Sequence, residues 1–182
     1  MSHVIDQEID TLLDQGAWAT ARRLLLKELK KSPSHWVLTH LSTAYVGEDK
    51  YDLALQASER AIRIAPWCPL TLWDYACALD FAGRKRAAIA AWQKLIKWGV
   101  KRIAYGDCGE GLPMARSFVN DARYRIGYCL GELGDYPSAV RYIQAHLKCR
   151  GPRCPSSYKR DLVEKHLKEF MNKWRGRNAS NQ

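Results

Sequence analysis

A short apolar motif returns along this chain at a nearly fixed interval, and that interval limits the possible folds more than any single residue does. Ala21 follows Trp18 by three residues, Ala54 follows Tyr51 by three, and Ala139 follows Tyr136 by three. Ala88 leads a similar run through Trp92 and Leu95. The runs stop at Pro33, at Pro66, at Gly99 and at Gly151-Pro152. The alanines are spaced by 33, 34 and 51 residues, and 51 is one such interval plus half of another. Self-similarity of this period marks stacked supersecondary units, here with half a unit inserted before the last copy.

Within each interval the apolar residues fall at helical spacing, with a break in the middle. Ile5, Ile9, Leu12 and Leu13 precede Gly16, and Ala21, Leu24, Leu25 and Leu29 precede Ser32-Pro33. His35 to Val46 and Tyr51 to Ile64 repeat the pair, and Pro69 to Ala82 and Arg86 to Trp98 repeat it again. Ala54, Ala88 and Ala139 mark where two antiparallel helices approach most closely, since a larger side chain there would overpack. Tyr45, Leu79 and Leu130 fill the facing holes. One helix pair cannot bury its apolar face alone, so the pairs must stack.

Composition agrees with a folded, water-facing chain, with 47% hydrophobic residues. No apolar run approaches the roughly 20 residues that cross a bilayer. The acidic start, Met1 to Leu12, does not read as a secretory signal, so the six cysteines are expected as reduced thiols in the cytoplasm. Charge is uneven. Residues 1–16 carry four acids and no base, residues 84–102 carry seven bases and no acid, and residues 141–177 carry eleven bases against three acids. Such runs are either solvated outer faces or a footprint for a polyanion.

The spacing and its residues resemble the tetratricopeptide repeat family. The fullest copy spans 120–152 through Ile126-Gly127, Leu130, Gly134-Asp135-Tyr136, Ala139, Tyr142 and Leu147. Residues 35–66 match through Leu38, Leu41, Tyr45, Tyr51, Ala54, Ala61 and Pro66, and residues 69–100 match through Leu72, Tyr75, Ala76, Leu79, Gly83, Ala88 and Trp92. Residues 2–33 match through Ile5, Leu12, Gly16, Trp18, Ala21 and Pro33. The resemblance implies an all-α, right-handed α-solenoid of about four helix-turn-helix pairs, as a single domain over 1–175. Its repeats would be 2–34, 35–68, 69–102 and 120–152, with an insertion at 103–119, a capping helix over 156–174 and a flexible tail at 176–182.

Family members use the first helix of each pair to line a concave groove that takes a peptide or a partner helix. Carried onto this sequence, that wall is Trp36, Thr39, His40 and Thr43, then Leu70, Trp73, Asp74 and Cys77, then Tyr124, Arg125 and Tyr128. Asp6 and Asp10 stand where chaperone-associated members hold a C-terminal carboxylate with Lys and Asn, and like charge excludes that clamp. The implied function is a non-enzymatic adaptor or chaperone-like module for a protein or peptide partner, with a basic-apolar segment favoured. Nucleic acid held on the basic faces at 84–102 and 141–177 is the alternative, and a secretion chaperone ranks below both.

The insertion reads as a glycine-rich loop over 104–113, followed by a helix starting near Pro113. Asp107, Cys108, Glu110 and Arg116 are its candidate gating residues, against the plain reading of a tolerated spacer. No catalytic set is legible, because Gly106 to Gly111 lacks the Lys-Ser/Thr ending of a phosphate loop. No cofactor is implied. His146, Cys149, Cys154 and Cys108 are soft ligands without the paired spacing of zinc motifs, so metal binding there stays open.

Overall fold

The computed structural model describes residues 3–179, with side chains from 5 to 177. Among them are nine helices and no strand: α1 (His3–Asp14), α2 (Trp18–Lys31), α3 (His35–Gly47), α4 (Tyr51–Ile64), α5 (Pro69–Phe81), α6 (Lys85–Tyr105), α7 (Gly111–Glu132), α8 (Tyr136–Cys149) and α9 (Arg160–Ala179). No described helix is long and apolar enough to cross a membrane. The chain divides into two compact units, one ending at Arg84 and the other beginning at Lys85.

The sequence period reappears in the backbone as one turn built four times. Gly16, Asp49, Gly83 and Gly134 each adopt positive φ, at 72°, 58°, 75° and 83°. Each donates its N–H to the carbonyl three residues back, and the next residue donates to the carbonyl five back: Ala17 to Leu12, Lys50 to Tyr45, Arg84 to Leu79 and Asp135 to Leu130. This Schellman geometry satisfies the last carbonyls of a helix and ends it. Glycine takes the left-handed conformation without penalty, and Asp is one of the few other residues that tolerate it.

In the first unit, successive helices pack against one another from α1 to α5, and α3 also packs on α5. Ile9, Ala21, Leu25, Val37, Leu41 and Ala44 form the core, and Trp18 and Trp36 lean on it. Ala54 is fully buried, as the close-approach reading requires, and so is Ala21. The Ser34 hydroxyl caps α3 by accepting from Val37 N at 3.2 Å. Between α2 and the C-terminal end of α3, Arg22 forms a fork on the Glu48 carboxylate at 2.6 and 3.2 Å.

In the second unit α6, α7, α8 and α9 pack in succession, and α9 also reaches α7. Ala88 and Ala139 are fully buried. The structure corrects the expected loop over 104–113. Helical structure resumes after Gly99, whose φ of 74° and ψ of 163° break α6, and continues to Tyr105. Ile103 and Ala104 are buried, so the last turn of α6 has an apolar anchor. The connection is confined to 106–110, tied by Gly106 N to Arg102 O and Glu110 N to Ile103 O. The next helix starts at Gly111, two residues before Pro113.

The last helix also differs in its bounds: it begins at Arg160 rather than at 156 and continues to Ala179. Ser156 and Ser157 instead shape the preceding turn, with Tyr158 N bonded to Ser156 Oγ and Ser157 N to Asp121 Oδ2 at 2.8 Å. Residues 180–182 of the expected tail lie outside the described residues. Val163 and Phe170 are buried on the inner face of α9, and Trp174 is 37% exposed.

A buried polar lock joins α7 to α8. His146 Nδ1 donates to the Asn120 carbonyl at 3.0 Å, and Asn120 Nδ2 donates to the His146 carbonyl at 3.3 Å. His146 Nε2 is buried with no hydrogen-bond acceptor, so a second proton there would be stranded. Burial lowers the His146 pKa from the usual 6.5, against the pull of the Asn120 carbonyl and Asp121, with Arg150 and Arg123 adding to the fall. Burial also lowers those of His40 and His166. The unfolded chain then binds more protons than the folded one below pH 6.5. Stability should hold above that pH and fall as pH drops from it through the lowered folded values. Urea denaturation between pH 7.5 and 5 tests this, and His146→Gln should flatten the slope; an unchanged slope would show that His146 does not drive it.

Candidate peptide-binding site

Helices α3 and α5 place their side chains one repeat apart on the same wall of the first unit. Thr39 and Thr71 meet across it, hydroxyl to hydroxyl at 3.1 Å, and both are buried. One turn on, the Thr43 hydroxyl donates to Asp74 Oδ2 at 3.1 Å. Beyond this bond a pocket of about 210 Å³ opens, lined by Ser42, Thr43, Val46, Trp73, Asp74, Cys77 and Phe81. Its floor and sides are mostly apolar, with one carboxylate at the edge. That composition suits an apolar side chain flanked by a cation or a hydrogen-bond donor.

Four of the sequence-derived wall residues therefore converge: Thr43, Trp73, Asp74 and Cys77. Phe81 completes the stripe 73, 77, 81 at intervals of four, a spacing that the sequence already carried. It is 44% exposed and stacks on Tyr51 at 5.6 Å. The same ring borders a second depression, of about 460 Å³, lined by Asp49, Lys50, Tyr51, Asp52, Leu53 and Ala82. Leu70 is half-buried one turn before Trp73.

Trp36 and His40 stack at 4.0 Å and 28°, and His40 Nδ1 bonds the Trp36 carbonyl at 2.9 Å. Asp10 reaches His40 Nε2 at 3.2 Å, so this acid is engaged with a ring of its own unit. Burial is the main reason that the His40 pKa is lowered, opposed by the Trp36 carbonyl and Asp10. Thr39 is 1% exposed and belongs to the interior rather than to a wall open to a ligand.

In the second unit the expected wall residues form an aromatic stack. Tyr124 is 2% exposed, which corrects its placement on an open groove. Its hydroxyl lies 2.7 Å from His166 Nδ1, and burial pushes its pKa up to about 12, so it stays protonated and donates. Tyr128 packs on His166 and Phe170 and lies under Lys85 Nζ. Arg125 sets its guanidinium over Trp92 at 5.4 Å, with Tyr128 and Tyr158 near 6 Å. Helix α9 covers this face, and no pattern within 120–152 announces a helix that arrives 40 residues later.

Of the four insertion residues, Asp107 and Cys108 are exposed in the short turn between α6 and α7, and Cys108 adopts a φ of 59°. Burial raises the Glu110 carboxyl pKa. Arg116 lies inside α7 rather than in the loop, with Nη1 on the Arg153 carbonyl at 3.3 Å.

Comparison with known proteins adds three findings. No curated protein matches the chain. The tetratricopeptide repeat model matches residues 121–145, within the fullest copy of the sequence period. Among solved structures, the chain is similar to the C-terminal part of a TPR repeat-containing protein from Cytophaga hutchinsonii, with a TM-score of 0.63 and 19% identity. That match covers 93% of this chain and 58% of the other, so the chain spans little more than half of that relative. It is also similar to two structures of MamA, with TM-scores of 0.58 and 0.57 at 18% identity, covering 94% and 93% of this chain and 96% and 90% of theirs. The chain therefore carries a match to the tetratricopeptide repeat at residues 121–145 and shares its helical-repeat fold with these solved proteins.

Proposed function

We propose that this protein is a non-enzymatic adaptor or chaperone-like module that binds a basic-apolar segment of a partner protein on the α3/α5 wall. Repeats of this family serve in general as protein-interaction scaffolds without chemistry of their own. The observation that carries the reading is the convergence of Trp73, Cys77 and Phe81 with Asp74 and Thr43 in one pocket. An aromatic that buries wide area at low entropy cost is the usual anchor of such contacts. Asp74, with Asp49 and Asp52 in the adjoining depression, favours Lys or Arg beside the anchored side chain.

A random-peptide display library selected on the immobilised chain tests this. Recovered sequences should pair an apolar side chain with Lys or Arg. Trp73→Ala should weaken their binding by about 30-fold, the size of an interface hot spot, and Asp74→Asn by about fivefold with loss of salt sensitivity. Both variants must keep the helical circular dichroism of the parent. Peptides that bind Trp73→Ala as tightly as the parent would sink the reading.

A second reading rests on charge. Residues 85–182 carry twenty Lys and Arg against eight Asp and Glu, a net of +12. Nucleic acid bound there would lose affinity steeply with salt and ignore Trp73. That pair of outcomes would move the function to the basic faces.

A further inference from the structure

Helix α8 ends at Cys149, and Cys154 follows in a turn closed by two backbone bonds, Gly151 N to Cys154 O at 3.1 Å and Cys154 N to Gly151 O at 2.9 Å. The two Sγ atoms stand 3.1 Å apart, both as free thiols. A disulfide bond is about 2.05 Å long, so each sulfur need move only about half an ångström. Cys149 is exposed and Cys154 is partly covered, with its Sγ directed at the Arg116 carbonyl at 3.8 Å. By contrast Cys68 and Cys129 are buried. One accessible sulfur beside one sheltered sulfur is the arrangement in which an entering oxidant meets the first and is displaced by the second.

We propose that Cys149 and Cys154 form a reversible disulfide, a redox modification site in the turn that leads into the last helix. With a small-molecule disulfide of the glutathione type as oxidant, the Cys149 thiolate attacks one sulfur and forms a mixed disulfide. One glutathione leaves as thiolate and takes up the proton that Cys149 gave away. Cys154 then loses its proton and attacks the Cys149 sulfur, releasing the second glutathione. The protein loses two electrons and two protons, and one glutathione disulfide becomes two thiols. Burial, together with the neighbouring Cys149 sulfur, pushes the Cys154 pKa up to about 11, which leaves Cys149 as the first to react. Arg123 opposes that rise, and conversion of Cys149 to the mixed disulfide removes its thiol from the pair.

The bond would staple the segment that seats α9. Between Cys149 and Arg160 the chain is tied to α7 at two points, Arg153 O to Arg116 and Ser157 N to Asp121. Closing this short loop restricts the unfolded chain, so the oxidised protein should melt several degrees higher than the reduced one. The site lies apart in sequence from the α3/α5 pocket and does not rest on the peptide-binding reading.

Equilibrating the full chain in buffers of graded glutathione and glutathione disulfide, quenching with an alkylating agent and weighing the intact protein tests the proposal. The oxidised form should take up two fewer labels than the six cysteines of the reduced chain allow. A tryptic map should join the fragment carrying Cys149 to that carrying Cys154, because Arg150 and Arg153 separate them. Cys149→Ser and Cys154→Ser should each abolish the link and the rise in melting temperature, and Cys108→Ser should leave both intact. Cys149 is exposed, so its variant remains informative even where Cys154→Ser folds poorly. Six labels at every poise, a persistent glutathione adduct on Cys149, or a link to another cysteine would each overturn the assignment.

Discussion

Truncating Phe170 to alanine should destabilise the unit formed by residues 85–182 by ~3–5 kcal/mol. The ring is 1% exposed and meets Tyr128, Tyr136 and His166 at centroid distances of 6.2, 6.2 and 6.4 Å. It enters a notch that exists because residue 131 has no side chain: a Cβ on Gly131 would lie 2.3 Å from the ring. Gly131→Ala should therefore cost ~1–3 kcal/mol by overpacking, and the two changes should be strongly non-additive. With the ring gone, the added methyl fills part of the cavity, and the double variant should be more stable than the sum of the singles implies. Urea titrations followed by circular dichroism measure all three. Additive costs would mean that the notch and the ring do not interact as described.

The second large effect belongs to Asp121, whose carboxylate is 1% exposed. Oδ2 accepts from Ser157 N at 2.8 Å and from Ser117 Oγ at 3.3 Å, and Oδ1 lies 3.8 Å from His146 Nδ1. Asp121→Ala leaves the Ser157 amide without its partner and should cost ~2–3 kcal/mol, because bonds to a charged acceptor are among the stronger ones. The loss should be local as well as global. Amide exchange at Ser157 and Tyr158 should accelerate more than exchange within α8. Uniform acceleration throughout the unit would show that Asp121 supports the core in general rather than this turn.

Much of the architecture was legible in the sequence for a specific reason. Helix ends depend on local chemistry, and the stop signals at Pro33, Pro66 and Gly134 act within a few residues, so Trp18, His35, Tyr51 and Pro69 start their helices as the pattern indicates. The insertion is less legible, because Gly106, Gly109 and Gly111 look like a continuous breaker. The structure puts Gly111 at the first position of a helix and keeps Ile103 and Ala104 in the preceding one. Side-chain destinations were harder. Trp73 and Cys77 do line a pocket, and Phe81 could have been added by extending their interval of four. Thr39 and Tyr124 sit on the same kind of helix face yet are buried, by a hydroxyl partner on α5 and by α9. Exposure on a helix face is a property of what packs against it, and that is not written within the helix itself.

The extra half-repeat has a simple anatomy. Helices α6 and α7 have 21 and 22 residues, where α2, α4 and α8 have 14. In α6 the added length lies beyond the break at Gly99, as a short helical segment that ends at Tyr105, whereas α7 carries its own added length from Gly111, and the connection between them is short. The break at Gly99 separates this segment from the helix before it, and the match to the repeat falls at residues 121–145, beyond the insertion. A lineage carrying this chain could change the length of the segment after Gly99 without turning the helix before it, because a glycine at positive φ uncouples the two.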